Sequence, residues 1–335
     1  ITGSVDILTH SPLNFDEGLT FSGNVGAVYA ELPGKTDPQL SALANWKNEA
    51  STVGVMVQAF YQKRNLRRDG QEVLFYNVMG GGDAAVAAYP ELEGVFYPGL
   101  VGSALFEQER ERVGGQITVE FAPTDNLTVT LDGFTSTLDA ANYNRNYMLW
   151  GARIIQGGAV PDAGFVVRDN TLVQAEFSAD PTRQYGIYDQ ISRPGDESSS
   201  EYLTADVEWI LNDQWTFWGQ IGASDGRGKT PTQDVAEWDL GLGSGAGWTL
   251  NGIGAADWHL GATDTSQPGT PLEDVKLDWI FGFQDIDVED EEDWLQLDST
   301  VQMDRGMLTS IDFGLRYADH GRHPVSYTHL RAHET

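Results

Sequence analysis

The sequence predicts an all-β fold, an antiparallel transmembrane β-barrel with short periplasmic turns and long extracellular loops. Three observations predict it. Alternating segments come in pairs joined by tight turns, and long stretches separate one pair from the next. Within each segment the apolar residues keep one parity, as strands with one apolar face require. The apolar faces also end in aromatic residues at both rims, where a bilayer selects amphipathic rings.

The first strand spans Leu19 to Tyr29. Leu19, Phe21, Val25, Ala27 and Tyr29 share one face, and Thr20, Ser22, Asn24 and Gly26 share the other. The second, Leu40–Trp46, turns through Asn48-Glu49-Ala50 into the third, Val53–Tyr61, where Val53, Val55, Val57, Ala59 and Tyr61 oppose Thr52, Gly54, Gln58 and Gln62. Ile117–Phe121 and Leu127–Gly133 form the next pair, across Pro123-Thr124-Asp125-Asn126. Leu203–Leu211 and Trp215–Ala223 follow, across Asn212-Asp213-Gln214. The last pair, Leu295–Met303 and Ile311–Tyr317, is joined by Asp304-Arg305-Gly306. The intervening stretches, Arg64 to Arg112, Asp139 to Ser200 and Gly226 to Asp293, read as loops, and a soluble domain rarely carries several of that length.

Alternation alone also fits a soluble β-sandwich. The rims favour the barrel: Trp46, Phe121, Trp209 and Trp215 lie at the tight-turn ends, and Tyr29, Tyr61 and Tyr317 at the opposite ends. The polar faces carry Glu120, Asp132, Asp206, Glu208, Asp298, Asp312 and Arg316, which suit a wet lumen.

Composition narrows the function. With 50 acidic and 20 basic residues the formal net charge is -30, which excludes nucleic acid as a partner because phosphate binding needs clustered Lys and Arg. The absence of Cys excludes disulfides, thiol nucleophiles and Cys-ligated metals. No run of 18 apolar residues is present, which leaves spanning strands as the only membrane-crossing element.

The opening Ile1-Thr2-Gly3-Ser4-Val5-Asp6-Ile7-Leu8-Thr9, followed by Ser11-Pro12-Leu13, resembles the end of the plug domain of TonB-dependent outer-membrane receptors. Gly23-Asn24-Val25, Ser41–Trp46, Val57-Gln58-Ala59-Phe60-Tyr61 and Arg67-Arg68-Asp69-Gly70 resemble the same family, and are most similar to its proteobacterial subgroup linked to oligosaccharide uptake. The resemblance implies residues 1–14 as the plug's end and 15–324 as the first part of a barrel of about 22 strands, of which nine are present. It implies a fragment: the signal peptide, the TonB box and most of the plug precede Ile1, and further strands follow. It also implies an inner-membrane TonB complex as partner, acting through the plug, and outer-membrane lipid around the barrel. Residues 325–335 resemble a translated adapter and are expected to be non-native.

The long stretches hold the binding candidates Trp150, Trp238, Trp248, Trp258 and Trp279, with Tyr143, Tyr147, Tyr185 and Tyr188. Flat rings beside the acceptors Asp239, Asn251 and Asp257 suit sugar C–H faces and hydroxyls; the competing reading is that the rings pack the loops together. The acidic run Asp285–Asp293 offers oxygens for Ca²⁺ but lacks EF-hand spacing and its central glycine, and reads as a solvated charge run. Asp206 and Glu208 share a strand face without a catalytic setting, and the glycines from Gly241 to Gly247 lack the strand and helix of a dinucleotide motif. His320 and His323 read as strand-end residues. No catalytic, metal or cofactor site is expected, and the chain is not read as an enzyme.

The expectation is therefore active outer-membrane transport of a scarce nutrient, an oligosaccharide first, since acidic loops repel anionic ferric siderophores. A siderophore or cobalamin receptor of the same family, a passive porin, and a soluble all-β glycan-binding protein are the alternatives.

Overall fold

A computed structural model of the chain describes residues 10–261, 275–282, 284–306 and 308–328. The first five strands are β1 (Gly18–Ala30), β2 (Lys35–Lys47), β3 (Val53–Val78), β4 (Phe96–Thr124) and β5 (Leu127–Leu149). Short β6 (Val166–Arg168) and β7 (Thr171–Phe177) precede β8 (Gly186–Ile210) and β9 (Trp215–Thr230). Then come β10 (Asp234–Leu240), β11 (Ala246–Thr249), β12 (Asp257–Leu260), β13 (Lys276–Phe281), β14 (Gln284–Arg305) and β15 (Leu308–Thr328). Helices are minor: α1 (Ala84–Ala88) and α2 (Gly151–Gln156).

The protein is all-β. Nine long strands form one antiparallel meander in the order β1-β2-β3-β4-β5-β8-β9-β14-β15, and the sheet is not closed. Each expected strand lies inside one of these nine, except that Leu203–Leu211 runs one residue past the end of β8, and each expected tight turn joins the expected pair. The register carries a single row across all nine strands: Leu19, Trp46, Val55, Val119, Leu131, Ala205, Ile221, Leu295 and Tyr317. Every residue of that row belongs to the apolar parity. The resulting apolar face is uncovered: Phe21 is 72% exposed, Val25 85% and Leu315 71%. Its lower rim is aromatic, with Trp215 stacked on Phe217 at 5.8 Å and edge-on to Phe313 at 6.3 Å.

The opposite face is polar and hydrogen-bonded to itself. Gln116 and Thr118 donate to the Asp132 carboxylate at 2.7 and 2.6 Å, and the Tyr202 hydroxyl joins them. Gln220 donates to Asp206 at 2.7 Å and accepts from the Trp294 indole at 2.7 Å. The chain leading into β1 lies on this face as a 3₁₀ turn, Pro12–Asn14. Asn45 donates to the Pro12 carbonyl at 3.1 Å, and both the Ser11 hydroxyl and the Leu13 N–H donate to Glu120. Gly54 makes room for it: a Cβ there would stand 2.7 Å from the Pro12 Cβ. Residues 1–9, which carry the plug-like motif, lie outside the described residues.

The three long loops are a correction. β3 and β4 stay paired from Val53 opposite Phe121 to Val78 opposite Phe96, so residues 79–95 alone connect them. β5 and β8 likewise extend to Leu149 and from Gly186, and β14 begins at Gln284. The extensions are stitched by charge instead of apolar alternation: the Lys63 ammonium sits 2.6 Å from Glu109 and 2.9 Å from Glu111 across the β3–β4 ladder. The β1–β2 connection at this same end is a tight turn, where Gly34 (φ 63°) donates to the Glu31 carbonyl at 3.1 Å. β15 runs to Thr328, four residues into the segment set aside as non-native, with Val325 opposite Asp287 and Thr328 opposite Gln284; residues 329–335 lie outside the described residues.

The buried apolar core sits in a cap at the long-connection end. Met79, Leu92, Tyr97, Leu149, Ile155, Leu172, Phe177, Tyr185, Leu240, Trp248 and Leu260 pack there. No residue of the exposed apolar face belongs to it.

Candidate functional site

Above the apolar face the sheet continues with substituted strands. β10 takes the place of β9 beside β8, and β13 lies beside β10. One row of this wall runs Ala104, Asn146, Asp189, Glu237 and Trp279 across β4, β5, β8, β10 and β13. By parity it belongs to the polar face of the sheet. Residues directly opposite in an antiparallel ladder have Cβ atoms about 4.5–5.5 Å apart, so Asp189 and Glu237 confront each other.

Each carboxyl here is held partly out of water. Burial pushes the Asp189 carboxyl up, against the Asn146 amide that donates to it at 2.7 Å. Burial also raises Glu237; the neighbouring Asp278 and Asp189 charges add to this, and the Trp279 indole N–H bonded to Glu237 opposes it. Asp239 lies one row higher, opposite Ile187. Burial raises it too, outweighing the Arg153 guanidinium that pairs with it. Arg153 comes from α2, stacks over the Trp150 ring at 4.3 Å, and reaches Asp278 at 3.0 Å. Asn146 is only 6% exposed, and its Oδ1 has no hydrogen-bond partner.

The expected binding residues divide between two places. Trp150, Trp279 and Asp239 belong to this polar cluster, and the Trp279 side is 44% exposed. Trp248 and Trp258 belong to the cap, and Trp238 and Asp257 lie beside it. Trp248 is 1% exposed, packs on Phe177 at 5.3 Å, and donates its indole N–H to the Leu172 carbonyl at 3.0 Å. It is a packing residue. Trp258 lies opposite Trp248 in the β11–β12 ladder and packs on Tyr147 at 5.5 Å. Trp238 packs on Tyr188 at 5.3 Å. Asp257 is exposed and accepts from Asn251 at 3.1 Å.

Sequence reasoning missed Asn146, Arg153, Asp189, Glu237 and Asp278. The signal available was the alternation of Val235, Glu237 and Asp239 against Ala236, Trp238 and Leu240, which marks a strand with carboxylates on one face. The acidic run lies on β14: Glu289 and Glu291 approach Asp225 of β9, with oxygens within 4.8 Å of one another, while Asp287 pairs with Arg227 at 2.9 Å. His320 pairs with Asp290 at 2.9 Å. The glycine run is a turn in which Gly241, Gly243 and Gly245 all take positive φ.

No protein-family model matches this sequence, and neither the curated proteins nor the solved structures contain a match to it.

Proposed function

We propose that this chain forms part of an outer-membrane β-barrel of the TonB-dependent transporter type, taking up an oligosaccharide captured at the mouth. The observation that carries the membrane reading is the uncovered apolar face running unbroken across nine antiparallel strands. A water-soluble sandwich would cover it with a second sheet, and none of the described strands lies over it. Its height also fits. Leu19 to Tyr29 on β1 and Val113 to Phe121 on β4 are roughly eight to ten steps of ~3.4 Å. At a strand tilt of ~40° that is about 20–26 Å, against an apolar band of about 25 Å in such barrels. The aromatic rims add support.

β1 and β15 each have one neighbour among the described residues, so a closed barrel needs further strands to pair these two edges. The transporter reading rests on the resemblance of the opening segment and on the placement of Ser11–Leu13 against the polar wall, where a plug would join the barrel. Energy would then come from the inner-membrane TonB complex. The ligand reading rests on the ring and carboxylate cluster of Trp150, Trp279, Asp239 and their neighbours. No catalytic role is proposed.

The test is cell fractionation of the intact protein in a Gram-negative host, with uptake assays. Recovery in the outer membrane, gel mobility that changes on heating, and oligosaccharide uptake lost without TonB are expected. A soluble protein would refute the membrane reading, and TonB-independent uptake would leave a passive porin.

A further inference from the structure

β4 sorts its charges by face. Glu107, Glu109 and Glu111 have the parity of the apolar face, and Arg110 and Arg112 have that of the polar face. On the first face the cations of β3 meet these acids: Lys63 pairs with Glu109 and Glu111, and Arg67 lies 3.9 Å from Glu107. On the polar face β3 places Arg64 directly opposite Arg110, and Gln62 opposite Arg112. Three guanidiniums thus share one stretch of the inner wall, just above the rim at Tyr61, in a chain of net charge -30.

The Cβ atoms of an opposed pair lie about 4.5–5.5 Å apart, and like charges so placed are destabilising. Nothing on this wall neutralises them. Arg64 donates to the Lys63 carbonyl at 2.7 Å and to Gln39 at 2.6 Å, both uncharged acceptors. Arg110 and Arg112 have no carboxylate partner among the described residues. The flanking acids are engaged elsewhere. Asp37 accepts from the Asn65 backbone and side chain at 2.7 and 2.6 Å. Asp196 stands two strands from Arg110, across Ala140, and accepts from Asn142 at 2.5 Å. The arginines are reachable: Arg64 and Arg110 are half-buried and Arg112 is exposed.

A flat ring adjoins them. Phe60, on the same face one row below Gln62 and Arg112, is half-buried and covers Gly114, where a Cβ would collide with its ring. We propose that Arg64, Arg110 and Arg112 form an oxyanion subsite that takes the carboxylate of an acidic sugar, whose ring lies against Phe60. Guanidinium forks hold carboxylates through paired N–H bonds, and they stay charged at any physiological pH. This narrows the ligand of the proposed transporter to a uronic acid oligomer, and it rests on the oligosaccharide reading above. The mouth carboxylates do not forbid it. Their row meets β4 at Ala104, six residues or about 20 Å beyond Arg110, against a Debye length of about 8 Å in physiological salt.

The experiment is calorimetric titration of the intact, detergent-solubilised protein at neutral pH. Three probes are used: a galacturonic acid tetramer, its methyl ester, and sulfate. Esterification keeps the sugar rings and removes the charge. The acidic tetramer is expected to bind at least about tenfold more tightly than the ester, and Arg110→Gln or Arg112→Gln is expected to bring that ratio close to one. Arg67→Gln, on the other face of the same ladder, should leave it unchanged. The readout is a ratio of affinities, so a variant that merely unfolds loses both and is recognised as such; Arg110→Lys, which keeps the charge and loses the fork, should then retain part of the ratio. Equal binding of the two tetramers by the unaltered protein would overturn the oxyanion subsite and leave oligosaccharide capture standing. Sulfate binding that Arg110→Gln abolishes, without binding of either tetramer, would keep the oxyanion subsite and overturn the oligosaccharide reading. Binding of none of the three would overturn the oxyanion subsite.

Discussion

Placing an arginine at Val25 separates a lipid-facing strand from a water-facing one. Val25 is 85% exposed and lies between Leu19 and Tyr29, the two rims of the apolar run on β1. Almost no protein contact is lost when its side chain changes, so in water Val25→Arg belongs with ordinary surface substitutions, within about 0.5 kcal/mol. In a bilayer the same change puts a guanidinium near the midplane, at about 2–4 kcal/mol. Its neighbour Asn24 is exposed on the polar face, and Asn24→Arg should cost about 0–0.5 kcal/mol in either setting. The assay is urea titration of the intact protein in lipid vesicles, followed by tryptophan fluorescence and heat-dependent gel mobility. A gap of at least about 1.5 kcal/mol between the two variants is expected. Equal, small effects would refute the membrane reading, because nothing within the protein distinguishes the two positions.

Trp248→Ala should destabilise the cap by about 3–5 kcal/mol, read as an early thermal transition, because the ring is fully enclosed in its core. Trp279→Ala, at an exposed ring, should leave that transition nearly unmoved and weaken oligosaccharide binding. Gly54→Val would force a branched side chain into Pro12, so the Ser11–Leu13 segment should leave the wall at a cost of about 1–3 kcal/mol and become accessible to protease. Asp189 and Glu237 have carboxyls raised above their unfolded values, so the folded protein binds protons there more tightly than the unfolded chain. Their stabilising contribution is fully present below about pH 4 and is lost as pH rises through the raised values; Glu237→Gln should flatten that slope in melting curves.

The strand segments below the cap are legible because one face of each carries apolar residues at period two. Val53 to Tyr61 shows this, and its expected partner Leu40–Trp46 lies beside it in register. Beyond Tyr61 the same strand continues for 17 residues to Val78, and the signal disappears. Lys63, Arg67 and Arg68 stand there in place of Val and Ala, and cross-strand ion pairs replace the apolar ladder. Period two needs two different environments, and a strand with similar ones on either side hides from it. The polar cluster is only half legible. Trp150, Trp279 and Asp239 stand out as rings and acceptors, yet composition does not distinguish them from Trp248, which the fold encloses. Asn146 and Asp189 are 43 residues apart and meet only because β5 and β8 are neighbours in register. Arg153 reaches its carboxylates only because α2 follows directly on β5.

The most direct measurement of membrane orientation is a cysteine scan along β8 of the intact protein in lipid vesicles. The chain has no Cys of its own, so each probe reports one position. Fluorescent labels at 203, 205, 207 and 209 should be quenched by lipid-confined quenchers, and labels at 204, 206 and 208 by aqueous ones. Aqueous quenching at every position, with no alternation, would contradict a lipid-facing sheet.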